Sequence, residues 1–155
     1  MKHYRLSRLQ RLLIKWVANC FPAYWATGAR ITYISENLQS VNIALPLKWR
    51  TSNHMRMIWV GSLYASLDPI YGVMLQLLLG RQYRVVDKAA SIQFKHPGRT
   101  TLRASFHISD TEVNAIERVL GVEQKTTRKY IVELKDQFGK VHVYCEKLVH
   151  IERLY

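Results

Sequence analysis

Ile58-Trp-Val-Gly-Ser-Leu-Tyr-Ala-Ser-Leu-Asp-Pro-Ile-Tyr-Gly-Val-Met-Leu-Gln-Leu-Leu-Leu79 is the most apolar stretch of the chain. Leu63, Leu67, Ile70 and Met74 fall at i, i+4, i+7 and i+11, the spacing of one helix face. Tyr64, Tyr71, Val73, Leu75, Leu77 and Leu78 fill most of the other faces. A helix apolar nearly all round is predicted to be buried nearly all round. Gly80 supplies its stop. Asp68, Pro69 and Gln76 interrupt the run, which is therefore read as a core helix and not as a membrane span.

Strand patterns lie on both sides of this helix. Upstream, residues 29–35 and 40–47 read as strands, with Val41, Ile43, Leu45 and Leu47 alternating with Asn42, Ala44 and Pro46. Ser35, Glu36 and Asn37 form the turn between them, and a polar loop runs from Lys48 to Arg56. Downstream, residues 84–95 and 99–108 flank the turn His96-Pro97-Gly98. Ser109-Asp110-Thr111-Glu112 has the form of a capping box and opens a short helix ending at Gly121. Residues 126–136 and 140–151 pair around Asp136-Gln137-Phe138-Gly139. On the last strand Val141, Val143, Cys145, Val149 and Ile151 share a face that only Lys147 breaks. One buried helix followed by antiparallel strands predicts an α+β layer fold, the sheet curling around the helix.

Residues 3–20 read as an amphipathic helix that Phe21-Pro22 ends. Leu6, Leu9, Leu13, Trp16, Val17 and Cys20 recur at helical spacing, while Arg5, Arg8, Arg11 and Lys15 point elsewhere. Such a helix either packs on the domain edge with a solvated basic face, or serves as an element that makes weak contact with a membrane surface or meets substrate phosphate. Leu12-Leu13-Ile14 is short for an export signal and Lys15 interrupts it, so the chain is placed in the cytoplasm.

The length of 155 residues suits a single domain, 1–155, with its core over 29–153. Cys20 and Cys145 form no CxxC pair and are read as reduced thiols. Lys and Arg outnumber Asp and Glu by 23 to 11, a net charge of +12 that favours anionic partners. The aromatics fall mostly on core-like positions and no nucleic-acid motif occurs, so no nucleic-acid partner is expected. The six histidines lack metal-ligand spacing, and no metal or cofactor is expected. Ser62 lacks a nucleophile-elbow context because Tyr64 stands at the last glycine position.

Asp68 is the acidic residue in the apolar helix, where an isolated carboxylate is costly to bury. Such a group is a candidate base. Asp68 before Pro69 could equally cap a second helix after a break.

The stretch from Asn53 to Val73 resembles the active-site segment of hotdog thioesterases of the phenylacetyl-CoA thioesterase type. Asn53 and Asp68 stand fifteen residues apart, as that family's pair does, Gly61 matches its second glycine, and Tyr64 matches an aromatic position. Thr27-Gly28-Ala29-Arg30, Asp68-Pro69 and the whole-chain layout resemble more closely an uncharacterised, thioesterase-like hotdog sub-family. The resemblance implies a hotdog fold and hydrolysis of acyl-CoA or acyl-carrier thioesters by a homodimer or a dimer of dimers. It implies Asp68 as general base or nucleophile, the amides of Val60 and Gly61 as the oxyanion site, and Asn53 as an orienting group. His54, Trp59 and Tyr64 would line the substrate. Trp59 stands where the family has histidine, and Val60 replaces its first glycine. A non-catalytic acyl-binding or interaction module is the alternative reading. Arg84, with Arg81, Lys88, Lys95 and Arg99, is a candidate for coenzyme A phosphates or for a solvated basic face.

Overall fold

The computed structural model describes residues 5–155. Positions 3 and 4 of the expected N-terminal helix lie outside the described residues. Helix α1 spans Arg8–Cys20 and begins where Ser7 and Gln10 form a capping box. Pro22 does more than end α1. It is the first residue of a short second helix, α2 (Pro22–Ala26), where a proline's missing N–H costs nothing.

Strands β1 (Arg30–Ile34) and β2 (Ser40–Leu45) follow, then α3 (Val60–Leu79). After α3 come β3 (Tyr83–Phe94), β4 (Leu102–His107), α4 (Asp110–Leu120), β5 (Lys125–Lys135) and β6 (Val141–Arg153). One six-stranded sheet has the order β1-β2-β4-β5-β6-β3, and its neighbours run antiparallel. The sheet wraps α3, which is the hotdog arrangement.

Leu63, Leu67, Ile70 and Met74 are buried, as their spacing predicts. Each such side chain contributes roughly 2 kcal/mol of burial. Gly80 ends the helix at φ 94°, a conformation that a β-carbon disfavours. By length and composition α3 would suffice to cross a membrane, yet half of that window is buried inside the protein.

Two expectations about α3 are corrected. The helix is not buried all round: Val60 and Val73 are exposed, and Tyr64, Asp68 and Gly72 are half-buried. The sheet covers one flank and leaves the other open. The helix also runs unbroken through Pro69, so Asp68 caps nothing and projects from its middle.

The capping box expected on α4 is only half made. Ser109 accepts from the Glu112 amide, but the Glu112 carboxylate turns to Arg128 and Tyr130 on β5. A charge-assisted pair to a guanidinium outweighs a return bond to one amide. Strand β3 lies at the sheet edge, and its ladder partner is β6.

Candidate active site

The site is built around α3. The loop before it is fastened at three points. Thr51 Oγ1 donates to the Pro46 carbonyl at 2.7 Å, Ile58 N–H donates to Gly98 at 2.8 Å, and Trp59 N–H donates to Thr51 at 2.7 Å. Asn53 shapes the loop from within: its Oδ1 accepts from the amides of Met55 (2.9 Å) and Met57 (3.1 Å). The side chain is thus a turn-former on its oxygen side, with its Nδ2 left to donate.

Trp59 is the N-cap of α3 and offers no side-chain oxygen. Among the described residues the amides of Val60, Gly61 and Ser62 have no acceptor. These donors stand at the positive end of the helix dipole. The Trp59 indole folds over Gly61, where a β-carbon would lie 2.3 Å from the ring. Gly61 is therefore the only residue type that fits under this indole as it stands.

Two turns further on, Asp68 Oδ1 accepts from the Tyr64 hydroxyl at 2.9 Å. Burial, then the bond to Asp68, pushes the Tyr64 hydroxyl far above the usual tyrosine range, so it remains a donor. The Asp68 side chain keeps 42% of its exposure and faces the open flank of α3.

Sequence reasoning missed what stands behind Asp68. Lys147 of β6 has no solvent exposure, and its Nζ lies 3.0 Å from Asp68 Oδ1 and 2.9 Å from Asp87 Oδ2 on β3. It also donates to the backbone carbonyl of Asp68. An ammonium has three protons, and here all three have acceptors, which is what makes its burial tolerable. Gly72 faces Asp87, a β-carbon there lying 4.0 Å from Oδ2. The break that Lys147 makes in the apolar face of β6 was the legible signal; Asp87 gave none.

Residues 10–151 match the model of a family described as a domain of unknown function, DUF4442. The chain belongs to that family. No curated protein matches it. Among solved structures, a Pseudomonas aeruginosa protein of unknown function, described as a probable thioesterase, superposes with TM-score 0.83 at 18% identity, covering 97% of this chain and 99% of that one. A protein of unknown function from Chlorobaculum tepidum gives 0.76 at 13% identity, covering 99% of each chain. A thioesterase from Haemophilus influenzae gives 0.70 at 12% identity, covering 97% of this chain and 96% of that one. At these identities the likeness establishes the hotdog fold, in agreement with the uncharacterised, thioesterase-like sub-family expected from Thr27–Arg30 and Asp68-Pro69.

In this DUF4442 chain the remaining sequence candidates separate. Trp59 and Tyr64 lie on the α3 flank with Gly61 and Asp68. His54 is exposed in the loop before the helix. Arg84 is not brought to this flank: it pairs with Glu152 at 2.5 Å on the strand surface, while its neighbours Tyr83 and Val85 pack into the core. Cys145 lies near Lys147, but burial raises its thiol pKa, which disfavours a nucleophilic thiolate. No group of three metal-ligating side chains occurs among the described residues.

The spacing along α3 limits what one protomer can do. Gly61 and Asp68 are seven residues apart, so about 10 Å of helix separates donors from carboxylate. A carbonyl held by those amides, with an attacking water beside it, lies too far along the axis for the carboxylate of the same helix to reach that water.

Proposed function

We propose that this protein hydrolyses acyl thioesters, of coenzyme A or an acyl carrier, at sites shared between two copies of the chain. The observation that carries the reading is the pairing of Asp68, on the open flank of α3, with the buried Lys147. Unpartnered amides at the start of the same helix support it. Two α3 helices packed antiparallel across a twofold axis would place Asp68 of one against Gly61 of the other, which removes the 10 Å difficulty.

In that site Asp68 takes a proton from water as the water oxygen attacks the thioester carbon. The carbonyl oxygen becomes an oxyanion and is held by the Val60 and Gly61 amides. The carbon–sulfur bond then breaks, and the thiolate leaves with the proton returned from Asp68. The products are a carboxylic acid and a free thiol. Lys147 fixes the carboxylate in place, and Asn53 Nδ2 is the donor that orients the acyl group.

The test is a panel of acyl-CoA substrates with wild type and Asp68→Ala. Truncation is expected to lower turnover at least ~100-fold, the usual loss for a general base. Unchanged hydrolysis in the variant removes Asp68 from the mechanism. The Trp59 ring above Gly61 favours a second reading, an acyl-binding module without turnover. Tight acyl-ligand binding with no hydrolysis by wild type would select it.

A further inference from the structure

Helix α1 is attached the wrong way round for an ordinary amphipathic helix. The face it turns to the protein is mixed, with Ile14 and Ala18 packed against the core beside Arg11, Lys15 and Asn19. Asn19 bonds both the N–H (2.7 Å) and the carbonyl (3.0 Å) of Ile31 on edge strand β1, and Lys15 reaches the Thr32 carbonyl at 3.5 Å. Arg11 pairs with Glu36 at 3.3 Å. These contacts satisfy an open sheet edge, and rotating the helix to bury its leucines would forfeit them.

The apolar side is left in solvent. Leu9, Leu13, Trp16 and Val17 are 75%, 58%, 65% and 52% exposed. Phe21 and Trp25 extend the ridge through α2 at 61% and 56%. Exposed apolar side chains grouped in this way mark an interaction surface. Two basic clefts adjoin these helices. One cleft of about 260 Å³ is lined by Arg30, Lys48 and Arg50, with Arg50 stacked 3.8 Å over Trp25. A second, of about 210 Å³, is lined by Arg8, Arg11 and Lys15. Among the described residues no acidic side chain lines either cleft; Glu36, which pairs with Arg11, stands outside.

We propose that this ridge docks on the surface of an anionic phospholipid bilayer. The leucines and tryptophans enter the interface while the two clefts receive lipid phosphates. Charge selects this occupant. Two copies meeting at this ridge would bring like-charged clefts together, and nucleic acid would engage the cations but leave the ridge in water. The reading is independent of thioester hydrolysis.

The test is co-sedimentation of the full chain with phosphatidylcholine vesicles, with and without phosphatidylserine, alongside tryptophan emission. Wild type is expected to bind only the phosphatidylserine vesicles, with a blue shift, and to be released by salt. Leu13→Glu with Trp16→Glu should lower partitioning at least tenfold. Arg8→Glu with Lys48→Glu should do the same, since each basic residue at an anionic surface is worth roughly fivefold. All four positions lie on the ridge or the adjoining clefts, and circular dichroism checks that the variants remain folded. No binding to phosphatidylserine vesicles, or unchanged binding by the Leu13/Trp16 variant, overturns the proposal. A wild-type dimer that becomes monomeric in that variant also overturns it, because the ridge then belongs to a second copy.

Discussion

Lys147 has no solvent exposure, and its Nζ stands 3.0 Å from the Asp68 carboxylate. The two partners are not symmetric. The lysine depends wholly on its acceptors, whereas Asp68 and Asp87 keep 42% and 29% of their side-chain exposure and can turn to water.

That asymmetry orders a set of variants. Asp68→Asn with Asp87→Asn strands a buried ammonium and is expected to cost about 3–5 kcal/mol. Lys147→Met removes the buried charge itself, leaves two carboxylates within reach of solvent, and is expected to cost about 1 kcal/mol. Urea denaturation decides. A larger loss for Lys147→Met than for the double variant would mean that the lysine is held for its charge and not merely tolerated. In the proposed reaction Lys147→Met should still slow turnover, because the carboxylate loses its anchor.

At the other end of the site, Gly61 and Trp59 are predicted to be coupled. A β-carbon at Gly61 displaces the indole, but Trp59 is 57% exposed and can swing outward. Gly61→Ala should therefore change stability by no more than about 1 kcal/mol, since the strain is offset by the better helix propensity of alanine. In a Trp59→Ala background the same substitution should stabilise. A double-mutant cycle with a coupling near zero would show that the ring does not rest on Gly61 in solution.

The fold was legible because burial on one helix face leaves a period that composition cannot hide, as at Leu63, Leu67, Ile70 and Met74. The position of Asp68 was legible too, since a carboxylate in an apolar run stands out. Its partners were not equally visible. Lys147 registered as a break in a strand pattern, but nothing in one sequence says which acid lies across from a buried base. Asp87 comes from an exposed edge strand, where a charge is ordinary. Helix α1 shows a different limit. Its amphipathic period was plain, yet period alone does not say which face meets the protein. The hydrogen bonds of Asn19 to Ile31 decided that.

Glu112 carries a prediction for acid stability. Its bond to the Arg128 guanidinium, helped by the Tyr130 hydroxyl and opposed by burial, holds its carboxyl below the ordinary glutamate value of 4.5. A depressed folded-state pKa gives stability that is present above the unfolded value and lost as pH falls through the folded one. Glu112→Gln should thus flatten the loss of stability below about pH 4.5 and leave the slope near neutrality unchanged. Superimposable acid-denaturation curves for the two proteins would mean that the pair with Arg128 does not persist in solution.

The shared site makes the sharpest demand. If Asp68 of one copy works with Gly61 of the other, then Asp68→Ala and Gly61→Val homodimers are each defective at both sites. A mixed dimer of the two carries both lesions in one site and none in the other. Co-refolding equal amounts gives mixed dimers in about half of the population, each with one intact site, so roughly a quarter of wild-type turnover should return. Donors and base on a single protomer would give no recovery at all, because no chain in the mixture would hold both. Since about 10 Å of helix separates Gly61 from Asp68, that second outcome would also require α3 to bend or the amides to lie outside the reaction.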